Sequence, residues 1–486
     1  MEMLKKYTSI VNNEPVSGTK AVPCINPSTG KSVADIYVGG TDTVDAAVTA
    51  ARAAFSSFRK TPRAERAKLL RAMADRMEEN IDLLAAAECI DTGKTIGEAH
   101  LHMHFCIDVY RYFAAAIEAK EEVAIAHDSG TISYVVREPL GVAGLIVAWN
   151  CPPMLLSWKL APALAMGNCV VIKPSITAVA GVCELFRVWK DLLPPGVVNI
   201  VLGSGSEIGD YFTAHPGINK LSFTGSVEVG RTIGAAAGKR IVPCTLELGG
   251  KSASVIFEDA DLDRALQKTC IGILSSAGEV CVANSRILVQ DTIYDKFLSM
   301  LKEKFEGAKV GDAMDPASQI GPVIDEKQMN KVLDYIEAGK AEGATLVCGG
   351  YRVTDNGCAD GYFIAPTIFG DVKHGMKIEQ EEIFGPVLCV MKFHDEDEAL
   401  AIANGTEYGL GAAVWTKDIY RAMRFGQELE AGIVWINDYL DTGVGQPFGG
   451  YKSSGLGREV NKIALEHYSQ VKNICIATDQ SVPPVW

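Results

Sequence analysis

The chain has 486 residues, enough for two or three domains of roughly 150 residues each, and 48% of them are hydrophobic. With 46 basic and 60 acidic side chains the net charge is −14, which argues against nucleic acid or an anionic membrane as partner, because both require a basic surface. No segment resembles a signal peptide, and the longest apolar run is too short to span a bilayer, so we expect no membrane association.

The first part of the chain reads as helical. The segment "TPRAERAKLLRAMADRMEENIDLL" predicts a helix with Thr61 as its N-cap and Pro62 at the first helical position. Its leucines and methionines recur on one face, which indicates a helix that packs against the core.

From Val142 onward the pattern changes to alternating strands and helices. The strands are predicted at "VAGLIVAW", "CVVIK", "VVNIVLG" and "KLSFTG", and helices lie between them. Such alternation of buried strands with helices is typical of a parallel, doubly wound α/β sheet, which binds ligands at the carboxyl ends of its strands. A second alternating region, from about Ser254 to Gly450, predicts a second α/β domain.

Two strands fit neither sheet. They are "GTISYVVRE" and, near the end of the chain, "VKNICIA". Strands with exposed edges pair readily with another chain, so these two segments predict a contact between subunits.

Three side chains have the settings of catalytic groups. Cys281, in "SSAGEVCVANSRILVQ", lies among small and polar residues and is interpreted as a nucleophile or as one more buried thiol. Glu247 lies between two leucines, where desolvation would make it a general base; the alternative is an ion-paired glutamate at a strand end. Asn150 ends a buried strand and would donate to an oxyanion or simply form a turn.

Other signals are weaker. Gly225 and Gly230 bracket a strand-to-helix turn but lack the G-x-G-x-x-G spacing of a dinucleotide site. Lys173 follows the second strand, where a cation would meet a ribose or a phosphate. The 13 cysteines are scattered singly, without CxxC pairs or zinc-type spacing, which predicts a reduced, cytoplasmic protein without a metal site.

Seven motifs in one order resemble the aldehyde dehydrogenase superfamily, over nearly the whole chain from about Pro27 to Val471. They are "VAWNCPP", "KLAPALAMGNCVVIKPS", "FTGSVEVG", "LELGGKS", "GEVCVA", "EEIFGPV" and "PFGGYKSSGLGRE".

The resemblance implies an aldehyde-dehydrogenase-like α/β fold in three parts. A Rossmann-type domain for the nicotinamide cofactor would comprise residues 1–120 and 140–248, and an α/β catalytic domain residues 249–452. Residues 121–139 and 467–486 would form a small β oligomerisation element, which suits the two unplaced strands. We therefore expect a homodimer or a homotetramer that acts on a small-molecule aldehyde.

The resemblance also implies the chemistry, which is NAD(P)-dependent oxidation of an aldehyde to its acid. The Cys281 thiolate attacks the carbonyl, and Asn150 and the backbone N–H of Cys281 stabilise the oxyanion. Glu247 activates the water that hydrolyses the resulting thioester. Glu459 matches a carboxylate that some members use to relay protons.

The cofactor contacts implied by the resemblance are Trp149, Lys173, Ser175, Ile176, Gly225, Ser226, Gly230, Leu248, Glu382 and Phe384. Ile176 stands where NAD-preferring members often carry a glutamate that binds both ribose hydroxyls. Without that carboxylate a 2′-phosphate meets less repulsion, so NAD is expected first and NADP is the alternative.

The implied aldehyde pocket is lined by Phe105, Cys151, Leu155, Trp158, Val280, Val282, Tyr439, Thr442 and Phe448. Cys151 and Thr442 replace aromatic rings found in many relatives, which predicts a wide throat. Asp438 and Asp441 either favour a cationic amino-aldehyde or are solvated loop acids.

Two other functions remain as alternatives. A coenzyme-A-acylating aldehyde dehydrogenase would pass the acyl group to a thiol, and Glu247 argues against it because that reaction needs no water-activating base. A catalytically idle binding or structural protein would not need Cys281, Glu247 and Asn150 together.

Overall fold

The structure is a computed structural model that describes residues 2–128 and 130–478. The predicted α/β class is confirmed. The strands are β1 (Lys6–Val11), β2 (Glu14–Val16), β3 (Lys20–Asn26), β4 (Lys31–Val38), β5 (Val123–His127), β6 (Thr131–Pro139), β7 (Val142–Val147), β8 (Cys169–Pro174), β9 (Val198–Ile200), β10 (Lys220–Thr224), β11 (Cys244–Glu247), β12 (Ala253–Ile256), β13 (Arg286–Gln290), β14 (Thr345–Cys348), β15 (Thr367–Gly370), β16 (Val387–Phe393), β17 (Tyr408–Gly409), β18 (Gly411–Trp415), β19 (Ile433–Ile436), β20 (Tyr451–Lys452), β21 (Gly455–Leu456) and β22 (Ser469–Ala477). The α-helices are α1 (Thr41–Phe58), α2 (Arg63–Glu79), α3 (Ile81–Thr92), α4 (Ile96–Glu118), α5 (Pro152–Ala165), α6 (Ala180–Trp189), α7 (Asp210–Ala214), α8 (Val227–Arg240), α9 (Leu262–Leu274), α10 (Tyr294–Glu306), α11 (Glu326–Ala341), α12 (Lys377–Gln380), α13 (Glu396–Asn404), α14 (Ile419–Glu428) and α15 (Ile463–His467).

The first sheet contains the predicted doubly wound unit. Strands β11, β10, β7, β8 and β9 lie side by side and parallel, and β1, β4 and β3 extend the same sheet. Because parallel strands end at one edge, the residues that follow β7, β8 and β11 are brought to the same side of the sheet. Asn150, Lys173 and Glu247 lie at or just beyond these ends.

The start of the chain differs from the expected helices. Residues 6–38 form β1 to β4, which join the first sheet before α1 begins. These strands are half-exposed, and their polar side chains hid the period-two pattern. The helix predicted after Thr61 begins at Arg63, with Pro62 in the N-cap position and no side-chain cap, and it ends at Glu79 before α3.

The second sheet runs in the order β14-β15-β16-β13-β12-β18-β19. Its strands pair in parallel except for β14, which is antiparallel to β15. It confirms the second alternating region predicted after Ser254. The loop from α9 to β13 carries Cys281 and faces the strand ends of the first sheet.

The two strands that fitted neither sheet pair with each other. β22 is antiparallel to β6, from Ser469 opposite Pro139 to Ala477 opposite Thr131, and β5 completes this third sheet. Residues 479–486, the last part of the predicted oligomerisation element, lie outside the described residues. A fourth, two-stranded sheet of β17 and β20 completes the set among the described residues, and the exact domain boundaries stay a prediction. Within the described residues, every helix is too short or too polar to cross a membrane.

Candidate active site

A cleft between the first and second sheets brings Cys281 and Asn150 together with nine of the ten predicted cofactor residues. It consists of two cavities, of about 220 and 460 Å³, that share the residues from Thr224 to Ser226 and both Ala148 and Trp149. The smaller cavity is lined by Trp149, Asn150, Gly225, Ser226, Leu248, Cys281, Glu382 and Phe384, among others. The larger one adds Lys173, Ser175 and Ile176. The cleft therefore runs continuously from Lys173 to Cys281.

Gly230 is placed differently from the prediction. It lines neither cavity and lies in α8, where a Cβ atom would come within 2.5 Å of Leu248 Cδ2. The glycine therefore lets α8 pack closely on the residue after β11. Its effect on a cofactor would be indirect.

Cys281 lies in a tight turn at the inner end of the cleft. The N–H of Ala283 donates to the carbonyl of Val280 across this turn, at 2.9 Å. Gly250 lies so close that a Cβ atom there would be 2.4 Å from the carbonyl oxygen of Cys281. Burial raises the pKa of the Cys281 thiol above its ordinary range, and Glu382 and Glu247 raise it further. The nucleophile of the free protein is therefore a thiol that needs a base.

The loop before Cys281 has an uncommon backbone. Ser276 and Ala277 adopt left-handed φ values of 47° and 51°, and Gly278 follows at 76°. Such conformations cost on the order of 1–3 kcal/mol at a non-glycine residue and persist only where the surroundings hold them. Glu98 holds this loop, because its carboxylate accepts from the N–H of Ser276 at 2.7 Å. Sequence reasoning missed Glu98, which lies 178 residues away.

Glu247 is a buried carboxyl at the end of β11. It is 3% exposed, and neither of its oxygens accepts a hydrogen bond from any residue that the structure describes. Burial raises its pKa well above the ordinary value, and the neighbouring carboxylate of Glu459 adds to this. Lys159 and Arg458 oppose the shift without cancelling it. The Glu247 carboxylate therefore has a high affinity for a proton, as a general base requires.

Glu459 is bound to a lysine that the sequence analysis did not single out. Its two oxygens accept from Lys159 Nζ at 2.7 and 2.9 Å, and both side chains are buried. The two residues are 300 positions apart, on α5 and after β21. Loss of one partner of such a pair costs about 3–5 kcal/mol, because the other charge is left buried.

Asn150 is fixed on both sides. Its Nδ2 donates to the backbone carbonyl of Glu279 at 2.9 Å, and its own carbonyl accepts from Lys94 Nζ at 2.7 Å. Glu279 precedes Cys281 by two residues, so the side-chain amide lies against the loop of the nucleophile. Lys94 is a second buried lysine that sequence reasoning missed.

The outer part of the cleft has the groups that a dinucleotide requires. Burial lowers the pKa of Lys173 to about 8, and among the described residues its Nζ hydrogen-bonds only to the carbonyl of Pro174, at 3.5 Å. Ser226 caps α8, whose N-terminus faces the cleft and would favour a phosphate. The Thr224 hydroxyl is buried, and none of the described residues hydrogen-bonds to it. These unused polar groups fit a nucleotide with ribose and phosphate oxygens.

The inner part fits the nicotinamide end. Glu382 accepts from the N–H of Gly250 at 3.0 Å, and burial raises the pKa of its carboxyl. Phe384 packs edge-on against Trp149, with ring centroids 5.3 Å apart. A carboxylate and two aromatic rings thus border the cavity that contains Cys281.

The predicted aldehyde pocket is mainly aromatic. Trp158 packs against Phe448 at 4.7 Å and against Phe105 at 6.3 Å between ring centroids. Its indole N–H is buried and has no acceptor among the described residues. Leu155 and Val282 are buried, Val280 is half-buried, and the Thr442 hydroxyl donates to the carbonyl of Leu440 at 3.2 Å.

Two expectations about this pocket need correction. Tyr439 is fully buried and its hydroxyl donates to the carbonyl of Val282 at 2.5 Å, so it supports the nucleophile loop from behind. Asp438 forms ion pairs with Arg264 at 2.9 Å and Lys268 at 2.5 Å. Its charge is therefore neutralised by surface cations, and it gives no support for a cationic substrate.

Comparison with known proteins agrees with this geometry. The model of the aldehyde dehydrogenase family matches residues 14–474. Acetaldehyde dehydrogenase 2 of Cupriavidus necator is 44% identical over 471 residues, which cover 95% of this chain and 93% of that protein. Betaine aldehyde dehydrogenase of Staphylococcus aureus, solved in complex with NAD+, is 38% identical with a TM-score of 0.96, over 98% of this chain and 95% of that one. The family predicted from the seven motifs is confirmed, and the chain belongs to the aldehyde dehydrogenase family.

Proposed function

We propose that this protein oxidises an aldehyde to its carboxylic acid with a nicotinamide cofactor, through a thioester on Cys281. One observation carries the proposal most directly: Cys281 and Asn150 line the same cavity, and the unpartnered carboxyl of Glu247 lies near enough to perturb the thiol. A nucleophile, an oxyanion donor and a base are the three groups that acyl chemistry requires.

The first step is attack of Cys281 on the carbonyl carbon. The thiol gives its proton to solvent water, a C–S bond forms as the C=O π bond breaks, and the aldehyde oxygen takes the negative charge. Asn150 Nδ2 and the backbone N–H of Cys281 are the donors for this oxygen. The cofactor, when bound, supplies an acceptor for the hydride that leaves the reacting carbon. Lys173, Ser175, Ser226, Glu382 and Phe384 are the residues that would hold it.

The second step is hydrolysis of the thioester. Glu247 takes a proton from water as the water attacks the acyl carbon, and the acid leaves as the C–S bond to Cys281 breaks. Glu459, held by Lys159 at 2.7 Å, is a charged neighbour that acts on the Glu247 carboxyl. We assign Glu459 the role of passing that proton onward, with Lys159 as its positioning residue.

NAD is the cofactor we expect. The Staphylococcus aureus enzyme was solved in complex with NAD+, and the cleft of this chain is lined by polar and aromatic residues along its length. Ile176 lines the adenosine end and brings no carboxylate to repel a 2′-phosphate. NADP is therefore the competing cofactor, and Lys173 is the cation that would meet its phosphate.

For the substrate we propose uncharged aldehydes. The rings of Phe105, Trp158 and Phe448 form an apolar wall. On the Tyr439 loop, Asp438 forms an ion pair with Arg264. The two relatives are named for acetaldehyde and for betaine aldehyde, so the family accepts both neutral and cationic molecules. The ion pairs of Asp438 favour the neutral class here.

Initial rates of reduced-nicotinamide formation test the proposal. A panel of aliphatic, aromatic and quaternary-ammonium aldehydes is run with NAD and NADP side by side. Cys281→Ala should abolish the rate, whereas Cys270→Ala, which removes a half-buried thiol on α9, should retain it. Wild-type turnover by Cys281→Ala would refute the thioester. Activity that appears only on addition of coenzyme A would favour the acylating alternative over hydrolysis.

We also propose a cytoplasmic homo-oligomer, a homodimer or a homotetramer. All 13 cysteines are free, as expected in a reducing compartment. The third sheet exposes apolar side chains, including Val123, Ile125, Val471 and Ile476, at 46–58% of their surface. Such side chains beside open strand edges favour association with a second copy. Light scattering of the purified protein would give the assembly directly.

A further inference from the structure

Four ionisable side chains, those of Glu88, Lys94, His102 and Cys151, form a largely buried cluster next to Asn150. Lys94 Nζ is 2.8 Å from Glu88 Oε1 and 3.5 Å from Cys151 Sγ, and it also donates to the carbonyl of Asn150 at 2.7 Å. His102 reaches the same carboxylate at 3.4 Å, and its ring nitrogen lies within 4.8 Å of Cys151 Sγ. Residues 88, 94 and 102 come from α3, the loop after it and α4, and the turn before α5 brings Cys151 to them.

The charges in this cluster favour the ionised form of Cys151. Burial alone would raise the pKa of the thiol, but Lys94 and His102 outweigh burial, so the pKa lies below its ordinary value. Burial likewise opposes the His102 cation, yet Cys151 and Glu88 raise the pKa of His102 to about 9. The titratable and charged groups that act on Cys151 or are acted on by it are Glu88, Lys94, His102, Cys106, Glu279 and Cys281.

The donor atoms also invite comparison with a metal site. One ligand atom each from Glu88, His102 and Cys151 lies within 4.8 Å of the others. However, Lys94 already places an ammonium group between the carboxylate and the thiol. A divalent cation would meet that charge at close range, with little solvent to screen it. In this ion network Lys94 therefore takes the place of a metal, and Glu88 Oε2 has no hydrogen-bond partner among the described residues.

We propose that Cys151 is a second reactive cysteine beside the active site, and that it is the thiol of this chain which a hydroperoxide oxidises first. The cluster has an opening, because the His102 side chain is 22% exposed while Glu88 and Lys94 are at most 2% exposed. Cys151 itself is 4% exposed, so hydrogen peroxide would have to approach along the partly exposed His102. Cys281, by contrast, has carboxylates as its charged neighbours.

The reaction balances within the cluster. The Cys151 thiolate attacks one oxygen of the hydroperoxide, so an S–O bond forms as the O–O bond breaks. Sulfur gives up two electrons and becomes a sulfenic acid. The peroxide is reduced to an alcohol, or to water, which takes its proton from the His102 imidazolium. A thiol reductant then converts the sulfenic acid back to the Cys151 thiol and releases water.

Oxidation would reach the active site through Lys94. The Cys151 anion, whose sulfur is 3.5 Å from Lys94 Nζ, becomes a neutral sulfenic acid with an added oxygen, so Lys94 loses one of its two charged partners. The same ammonium group donates to the carbonyl of Asn150 at 2.7 Å, so its displacement would move Asn150. Since Asn150 is the proposed oxyanion donor, oxidation of Cys151 should lower the turnover number even though Cys281 is intact.

The test is chemical trapping of sulfenic acid in the full-length protein without cofactor. The protein is treated with less than one equivalent of hydrogen peroxide together with a dimedone-type trap, and each cysteine peptide is quantified by mass spectrometry. We expect Cys151 to carry about tenfold more label than Cys281, since each unit of pKa changes the thiolate fraction about tenfold. In Cys281→Ser the label on Cys151 should persist.

Two variants separate the cluster from mere accessibility. His102→Gln removes one cation but retains a hydrogen-bonding side chain, and it should slow labelling of Cys151 about tenfold. Cys106→Ser removes a neighbouring buried thiol whose pKa burial raises, and it should leave the labelling unchanged. Lys94→Met would leave the buried Glu88 carboxylate without its cation and destabilise the fold, so it is not used alone as a test.

Three outcomes would overturn the inference. One is label on Cys281 with none on Cys151. Another is a labelling rate at Cys151 that is the same in His102→Gln as in the wild type. Stoichiometric, tight Zn²⁺ binding that disappears in Cys151→Ser would also contradict it, because it would show that the trio serves a metal instead of forming an ion network with Lys94.

Discussion

Replacement of Glu247 by glutamine separates the two halves of the proposed reaction. Glutamine has nearly the shape of a protonated glutamate, and the native carboxyl makes no hydrogen bond with the described residues, so the fold loses little. What is lost is the base. Positioned general bases contribute about 10²–10⁴-fold to a rate. Glu459 cannot substitute easily, because both of its oxygens are bound to Lys159 at 2.7 and 2.9 Å.

We therefore expect Glu247→Gln to stall after one turnover. Stopped-flow absorbance should show a burst of about one reduced nicotinamide for each Cys281, followed by steady turnover reduced about 10²–10⁴-fold. Intact-protein mass spectrometry of the stalled enzyme should show the added acyl group. Glu337→Gln, an exposed change on α11, is the control. Steady turnover at the wild-type rate would refute the role of Glu247; loss of the burst as well would assign Glu247 to deprotonation of Cys281 instead.

Two further predictions concern buried charges, and a third concerns the choice of cofactor. Lys159→Met should destabilise the fold by about 3–5 kcal/mol in denaturant titrations, because it leaves Glu459 unpaired, and Lys159→Arg should recover most of that loss. Burial raises the pKa of Asp91 to about 7 from 3.8, so the native state holds a proton that the unfolded chain releases and stability falls as pH rises between these values. Asp91→Asn should therefore narrow the difference in melting temperature between pH 5 and pH 8. Ile176→Glu should raise the ratio of kcat/KM for NAD over NADP at least about tenfold, since a carboxylate there repels a 2′-phosphate; an unchanged ratio would contradict that placement.

The site residues that could be predicted from the sequence are those next to a recognisable local pattern, such as an apolar strand. Asn150, Lys173 and Glu247 follow continuous apolar runs, and in a parallel sheet the ends of such strands meet. Cys281 was marked only by small neighbours, and the family resemblance was needed to single it out. The half-exposed strands β1 to β4 gave no such pattern, and the chain start was wrongly read as helical.

The residues that sequence reasoning missed act at a distance. Lys94 is 56 residues from Asn150, and Lys159 is 300 residues from Glu459. A lysine in a sequence is normally read as a solvated surface group, since burial of an ammonium requires a partner that only the fold can bring. The same reason applies to Tyr439, whose role behind Val282 depends on a hydrogen bond across 157 residues.

The two cysteines beside the cleft lie in opposite electrostatic settings, and this difference has a chemical use. Burial raises the pKa of the Cys281 thiol, and Glu382 and Glu247 raise it further. At Cys151 burial also raises the pKa, but Lys94 and His102 outweigh it and hold the pKa below its ordinary value. An oxidant selects the thiolate, so the second cysteine would take the damage while the nucleophile is idle. A thiol reductant converts a sulfenic acid back to the thiol. Oxidation of Cys151 would therefore lower the activity reversibly and leave the nucleophile Cys281 intact.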